Sequence, residues 1–101
     1  MKFSTLLLAF AACLLLAGTA MAHKVNIFAF VDEAVVYTES YFADGKPVIG
    51  GKISVFSADK RLLLEGKSDQ QGNWQFSQPA EKPLTLVIEA GLGHRGEFQL
   101  K

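Results

Sequence analysis

From Lys24 onward, apolar residues recur at every second position in short runs, and turn-forming residues separate the runs. Such alternation sets one face of a strand in a core and the other in water. Val25, Ile27, Ala29 and Val31 mark a first strand and Ala34 to Phe42 a second, with Asp32-Glu33 as the tight reversal between them. Asp44-Gly45-Lys46-Pro47 reads as a turn, and Gly50-Gly51 as a further break. Lys52 to Ser57 and Arg61 to Glu65 form a hairpin across Ala58-Asp59-Lys60. Ser68-Asp69-Gln70-Gln71-Gly72 then turns the chain into Asn73 to Ser77, where Trp74 and Phe76 share a face. Pro79 to Pro83 is a polar connection to Leu84 to Ala90, and Gly91-Leu92-Gly93-His94 leads into Arg95 to Leu100. Nowhere in this span does helical spacing persist over three turns. Seven or eight short strands with regular turn signals predict an all-β domain, a small β-sandwich with Greek-key connections. Trp74, Phe76, Ile53 and Val55 are expected in its core. Tyr37, Tyr41, Phe28 and Phe30 form an aromatic stripe on one face, readable as a partner surface or as half-buried packing.

The first 22 residues break this pattern. Lys2 supplies a positive start, Thr5 to Ala17 is almost uninterruptedly apolar, and Ala20-Met21-Ala22 offers small residues at −3 and −1 of a cleavage site. The apolar run is shorter than the roughly 20 residues that cross a bilayer, and Gly18-Thr19 interrupt it. The reading is a cleaved signal peptide over 1–22 and one domain over 23–101. The mature chain is then periplasmic or secreted, with no transmembrane helix of its own. Cys13 is the only cysteine. Phe10-Ala11-Ala12-Cys13 makes a poor lipidation box and Leu14 to Ala17 is no polar tether, so no lipid anchor is expected. The mature chain has no thiol for a disulfide or a cysteine metal site.

Loss of Lys2 with the leader leaves nine basic side chains against ten acidic ones, a formal charge of −1. No basic patch points to nucleic acid. A domain of this size has room for one core and gains from reinforcement by a bound ligand or partner. Catalysis has little support: there is no nucleophile elbow and no phosphate-cradling glycine loop, so a non-enzyme is expected.

Two resemblances enter on particular residues. Asp44-Gly45-Lys46-Pro47-Val48, Gly51-Lys52-Ile53-Ser54-Val55 and Ser68-Asp69 followed by Gly72-Asn73-Trp74-Gln75-Phe76 resemble the carboxypeptidase regulatory-like, transthyretin-like domains. That resemblance implies a small Ig-like sandwich and says almost nothing of function. A narrower one rests on His23-Lys24-Val25-Asn26-Ile27-Phe28-Ala29-Phe30, on Tyr37-Thr38-Glu39-Ser40-Tyr41-Phe42 with Asp44-Gly45, and on Glu89-Ala90 with Gly93-His94-Arg95. These resemble small exported accessory proteins of energy-coupling-factor nickel and cobalt uptake systems. Nickel or cobalt as the bound metal, and membrane components of a metal-uptake transporter as partners, are what that resemblance implies.

Cleavage after Ala22 would give His23 a free α-amine beside its imidazole. An amine of ordinary pKa near 8 and the ring Nδ1 chelate one metal ion together once the amine loses its proton. His94 is the only other histidine, and a second imidazole would complete a nitrogen-rich site suited to nickel, cobalt, copper or zinc. In many Ig-like sandwiches the first and last strands run side by side and parallel, which would bring His23 and His94 to one end. With Asp32-Glu33 as a two-residue turn, Val31 pairs with Ala34 and Asn26 with Glu39, so Glu39 runs toward the same end. Glu89 approaches it from the preceding strand. The expected metal ligands are therefore His23 and His94, with Glu39 and Glu89 as carboxylate candidates that read equally as solvated or cross-strand partners of lysines. Three functions remain open: a nickel or cobalt uptake accessory, a copper carrier, and a metal-free structural or interaction module.

Overall fold

The computed structural model describes residues 24–101. Seven strands follow in chain order: β1 Val25–Asp32, β2 Val35–Phe42, β3 Lys52–Phe56, β4 Leu62–Lys67, β5 Asn73–Ser77, β6 Leu84–Glu89 and β7 Arg95–Leu100. They form an antiparallel sheet of three, in the order β1-β2-β5, and an antiparallel sheet of four, in the order β4-β3-β6-β7. The pairings of β2 with β5 and of β3 with β6 join non-consecutive strands, so the chain changes sheet after β2, β4 and β5, as Greek-key connections do. The all-β sandwich is the expected one. Among the described residues, no helix is long and apolar enough to cross a membrane.

The two sheets bury the alternate apolar positions between them. Val25, Ile27, Ala29, Val36 and Phe76 come from the three-stranded sheet, and Ile53, Val55, Leu84, Leu86 and Ile88 from the four-stranded one. Among the described residues, both sheets and the core between them are built from 24–101. Trp74 is half-buried rather than buried, because β5 is an edge strand and its indole closes the open side of the sandwich. There it lies over Gly66 of β4, where a Cβ would come within 2.1 Å of the indole Cε2. On the opposite open side, a Cβ on Gly96 of β7 would come within 2.4 Å of the Val25 carbonyl oxygen of β1. A glycine admits the facing sheet on each side.

The first hairpin departs from expectation by one residue. Glu33 and Ala34 both have positive φ, 48° and 63°, and Asp32 pairs with Val35. Two left-handed central residues make a turn of the I′ kind, whose twist suits a two-residue hairpin. The reversal is therefore Glu33-Ala34, not Asp32-Glu33, and the register moves by two: Val31 faces Val36, and Asn26 faces Tyr41 rather than Glu39. Neither residue is at ease there, since a side chain at positive φ crowds the backbone. Ala34→Gly should raise stability by about 0.5–1 kcal/mol, measured as a higher urea midpoint with unchanged slope.

The loops between sheets are tied by polar groups. Ser68, buried at the end of β4, donates its hydroxyl to the Val48 carbonyl at 2.6 Å and accepts from the Gly51 N–H at 2.9 Å. The Asp69 carboxylate accepts from the N–H groups of Gln71 and Asn73, at 2.9 and 2.8 Å, and the Gly72 N–H donates to the Asp69 carbonyl. This accounts physically for the Ser-Asp-x-x-Gly segment: one side chain fastens two crossovers and the next caps the turn into β5. Ser68→Ala would strand a buried carbonyl and a buried N–H, and should cost about 1–3 kcal/mol in denaturant unfolding.

Candidate metal site at the shared end of β1 and β7

β1 and β7 belong to different sheets, yet they flank each other across the open side of the sandwich. Val25 meets Gly96, and the Phe28 and Phe98 rings lie 5.4 Å apart edge to face, so the strands run in the same direction. Their starts therefore share one end. Val25 pairs with Phe42 at the end of β2, and the Ala43 N–H donates to the Lys24 carbonyl at 3.3 Å.

His94 occupies this end. It closes the Gly91-to-His94 turn, its N–H donating to the Gly91 carbonyl and its carbonyl accepting from the Ala90 N–H. Its half-buried ring stands edge-on to Phe42, with centroids 6.2 Å apart. His23 lies outside the described residues.

The two carboxylates separate. Glu89 lies between Lys52 and Arg95 in the register of the four-stranded sheet, and it lines with His94 and Arg95 a shallow hollow of about 280 Å³. Arg95 itself pairs with Glu97 at 2.8 Å, and Lys52 reaches Glu65 at 3.9 Å. Glu39 is exposed on the outer face of the other sheet, opposite Phe28 on one side and Asn73 on the other. It stands three residues from Phe42 along β2, roughly 10 Å at strand rise, and the two-residue register change carries it away from the β1 start. Glu39 and Glu89 thus face away from each other across the sandwich and do not meet at one metal. Among the described residues no group of three or more metal-ligating side chains forms. His94 and Glu89 share one hollow, and Glu39 lines a different one.

A titration effect lies elsewhere. The Asp59 carboxyl in the β3–β4 turn is held below its ordinary range chiefly by the hydrogen bond from the Ser57 hydroxyl.

An uncharacterized protein of Haemophilus influenzae is 37% identical to this chain over 98 residues. The match covers 93% of this chain and 59% of that protein, so the chain spans less than two thirds of its relative. No protein family matches the chain, and no solved structure does.

Proposed function

We propose that this is an exported metal-binding accessory domain, which takes one divalent transition ion at the shared end of β1 and β7 and serves nickel or cobalt uptake. The ligands would be the α-amine and imidazole of His23 after cleavage behind Ala22, the imidazole of His94, and the Glu89 carboxylate. One observation carries the reading: the strand that follows His23 and the strand that follows His94 start side by side, with the His94 ring against Phe42, the cross-strand partner of Val25. Two imidazoles and an amine suit Co²⁺, Ni²⁺ and Cu²⁺ in ascending order of affinity, and a carrier of copper is the same site with a different supply. The nickel and cobalt assignment rests on the sequence resemblance. Membrane components of an uptake transporter would then receive the ion.

Binding at this place would join the edges of two sheets, and a ligand held by the folded form alone stabilises it. Nickel at a hundredfold above its dissociation constant should stabilise the chain beginning at His23 by about 2.7 kcal/mol in urea unfolding. A chain carrying one extra residue ahead of His23 should gain far less, because its terminal amine no longer shares a chelate ring with that imidazole. Equal stabilisation of both chains would contradict the N-terminal chelate.

A further inference from the structure

The outer face of the three-stranded sheet carries the aromatic stripe, and its register arranges the residues in rows. Phe30 stands opposite Tyr37, which stands opposite Gln75; Phe28 stands opposite Glu39, which stands opposite Asn73; Asn26 stands opposite Tyr41. Phe28, Phe30 and Tyr41 are 44%, 43% and 40% exposed. The Phe30 and Tyr37 rings stack with centroids 5.4 Å apart, and Phe28 lies 6.2 Å from Phe30. These rings are ordered against one another, yet their outer sides face solvent. Glu39 sits among them, and among the described residues its carboxylate makes no hydrogen bond or ion pair.

A carboxylate whose register neighbours are aromatic has a definite chemical complement. The negative face of each ring attracts a cation, and a guanidinium can stack on a ring while giving two parallel N–H donors to a carboxylate. A hollow of about 410 Å³ continues from this point to the β5 edge, and Phe30, Tyr37, Glu39, Lys67, Asp69 and Asn73 are among the residues that line it. Two carboxylates against one ammonium leave it net negative. The amides of Asn73 and Gln75 supply the polar rim that surrounds an aromatic centre in protein interfaces. An apolar partner would leave Glu39 buried without a counter-charge, and an acidic one would be repelled.

We infer that the outer face of the β1-β2-β5 sheet is a docking surface for a partner protein that presents an arginine side chain to Glu39 between the rings of Phe28, Phe30, Tyr37 and Tyr41. The surface is separate from the end of the sandwich where His94 lies and stands whether or not metal binds there.

The test uses ¹⁵N-labelled chain 23–101 and three capped tripeptides, Gly-Arg-Gly, Gly-Lys-Gly and Gly-norleucine-Gly, followed by amide shifts. One arginine contact corresponds to a dissociation constant on the order of 1–10 mM, within reach of such a titration. Shifts should concentrate at Phe28 to Phe30, Tyr37 to Tyr41 and Asn73 to Gln75. The order should be arginine, then lysine, with norleucine weakest, and Glu39→Gln should weaken the arginine peptide about tenfold without moving the spectrum elsewhere. Equal binding of norleucine, equal binding to Glu39→Gln, or no shifts at these residues would overturn the proposal. So would concentration-dependent shifts of the same residues without peptide, which would mark a surface for a second copy of this chain.

Discussion

Replacing Gly66 by alanine should destabilise the domain by about 3 kcal/mol, nearly as much as removing the Trp74 side chain outright. A methyl at residue 66 would fall 2.1 to 2.5 Å from the indole atoms Cε2, Cζ2 and Nε1, closer than atoms can approach. The backbone of β4 is fixed by its ladder to β3, so the ring must leave. Trp74 then loses its seat over Gly66 and its packing against Phe76, whose ring lies 5.0 Å away. Truncating large buried aromatics costs about 3–5 kcal/mol, and the half-burial of Trp74 puts this one at the lower end. The two changes act on one contact, so the double variant should be little worse than Trp74→Ala alone, a non-additivity of roughly 2–3 kcal/mol. Urea unfolding of wild type, both single variants and the double variant checks this. Strict additivity would mean that the glycine matters for some reason other than the indole.

Gly66 also shows where sequence patterning runs out. Period-two alternation with turn residues at the breaks was sufficient to assign all seven strands, although Ile53 to Val55 of β3 and Leu86 to Ile88 of β6 are buried on both faces. β4 was expected to end at Glu65, yet it continues through Gly66 and Lys67. A glycine usually signals a break, and here it signals the close approach of a ring from the other sheet, which has no local signature. The first turn misled for a related reason. Asp32 is a common turn residue, whereas Ala34 gives no hint that it will adopt φ of 63°. A one-residue error in a turn moves the register by two and keeps every side chain on its proper face. The core was therefore legible while the neighbours of Glu39 were not.

The candidate site was legible in part. That β1 and β7 flank each other and run together follows from sandwich topology, and His94 does stand at the start of that pair, beside Phe42. The carboxylates depended on register and on which sheet each belongs to, which local alternation does not encode. Glu89 keeps its place near His94, while Glu39 belongs to the aromatic face. The aromatic stripe was visible from the spacing of Phe28, Phe30, Tyr37 and Tyr41, but the carboxylate at its centre emerged only from cross-strand pairing.

The largest effect on function should come from His94. In the proposed site, replacing it by alanine would remove one of two imidazoles, and affinity for the metal should fall by at least about a hundredfold, the upper end of what the loss of an outer-shell partner alone costs. Placing one residue ahead of His23 should do comparable damage by a different route, since it leaves both imidazoles intact and moves only the amine. The direct measurement is calorimetric titration of nickel, cobalt and copper into three proteins: the chain beginning at His23, the same chain with His94→Ala, and the chain with one added N-terminal residue. The account predicts one ion per chain for the first protein and a loss of at least about a hundredfold in each of the others. Equal affinities in all three would contradict a site shared by His23 and His94.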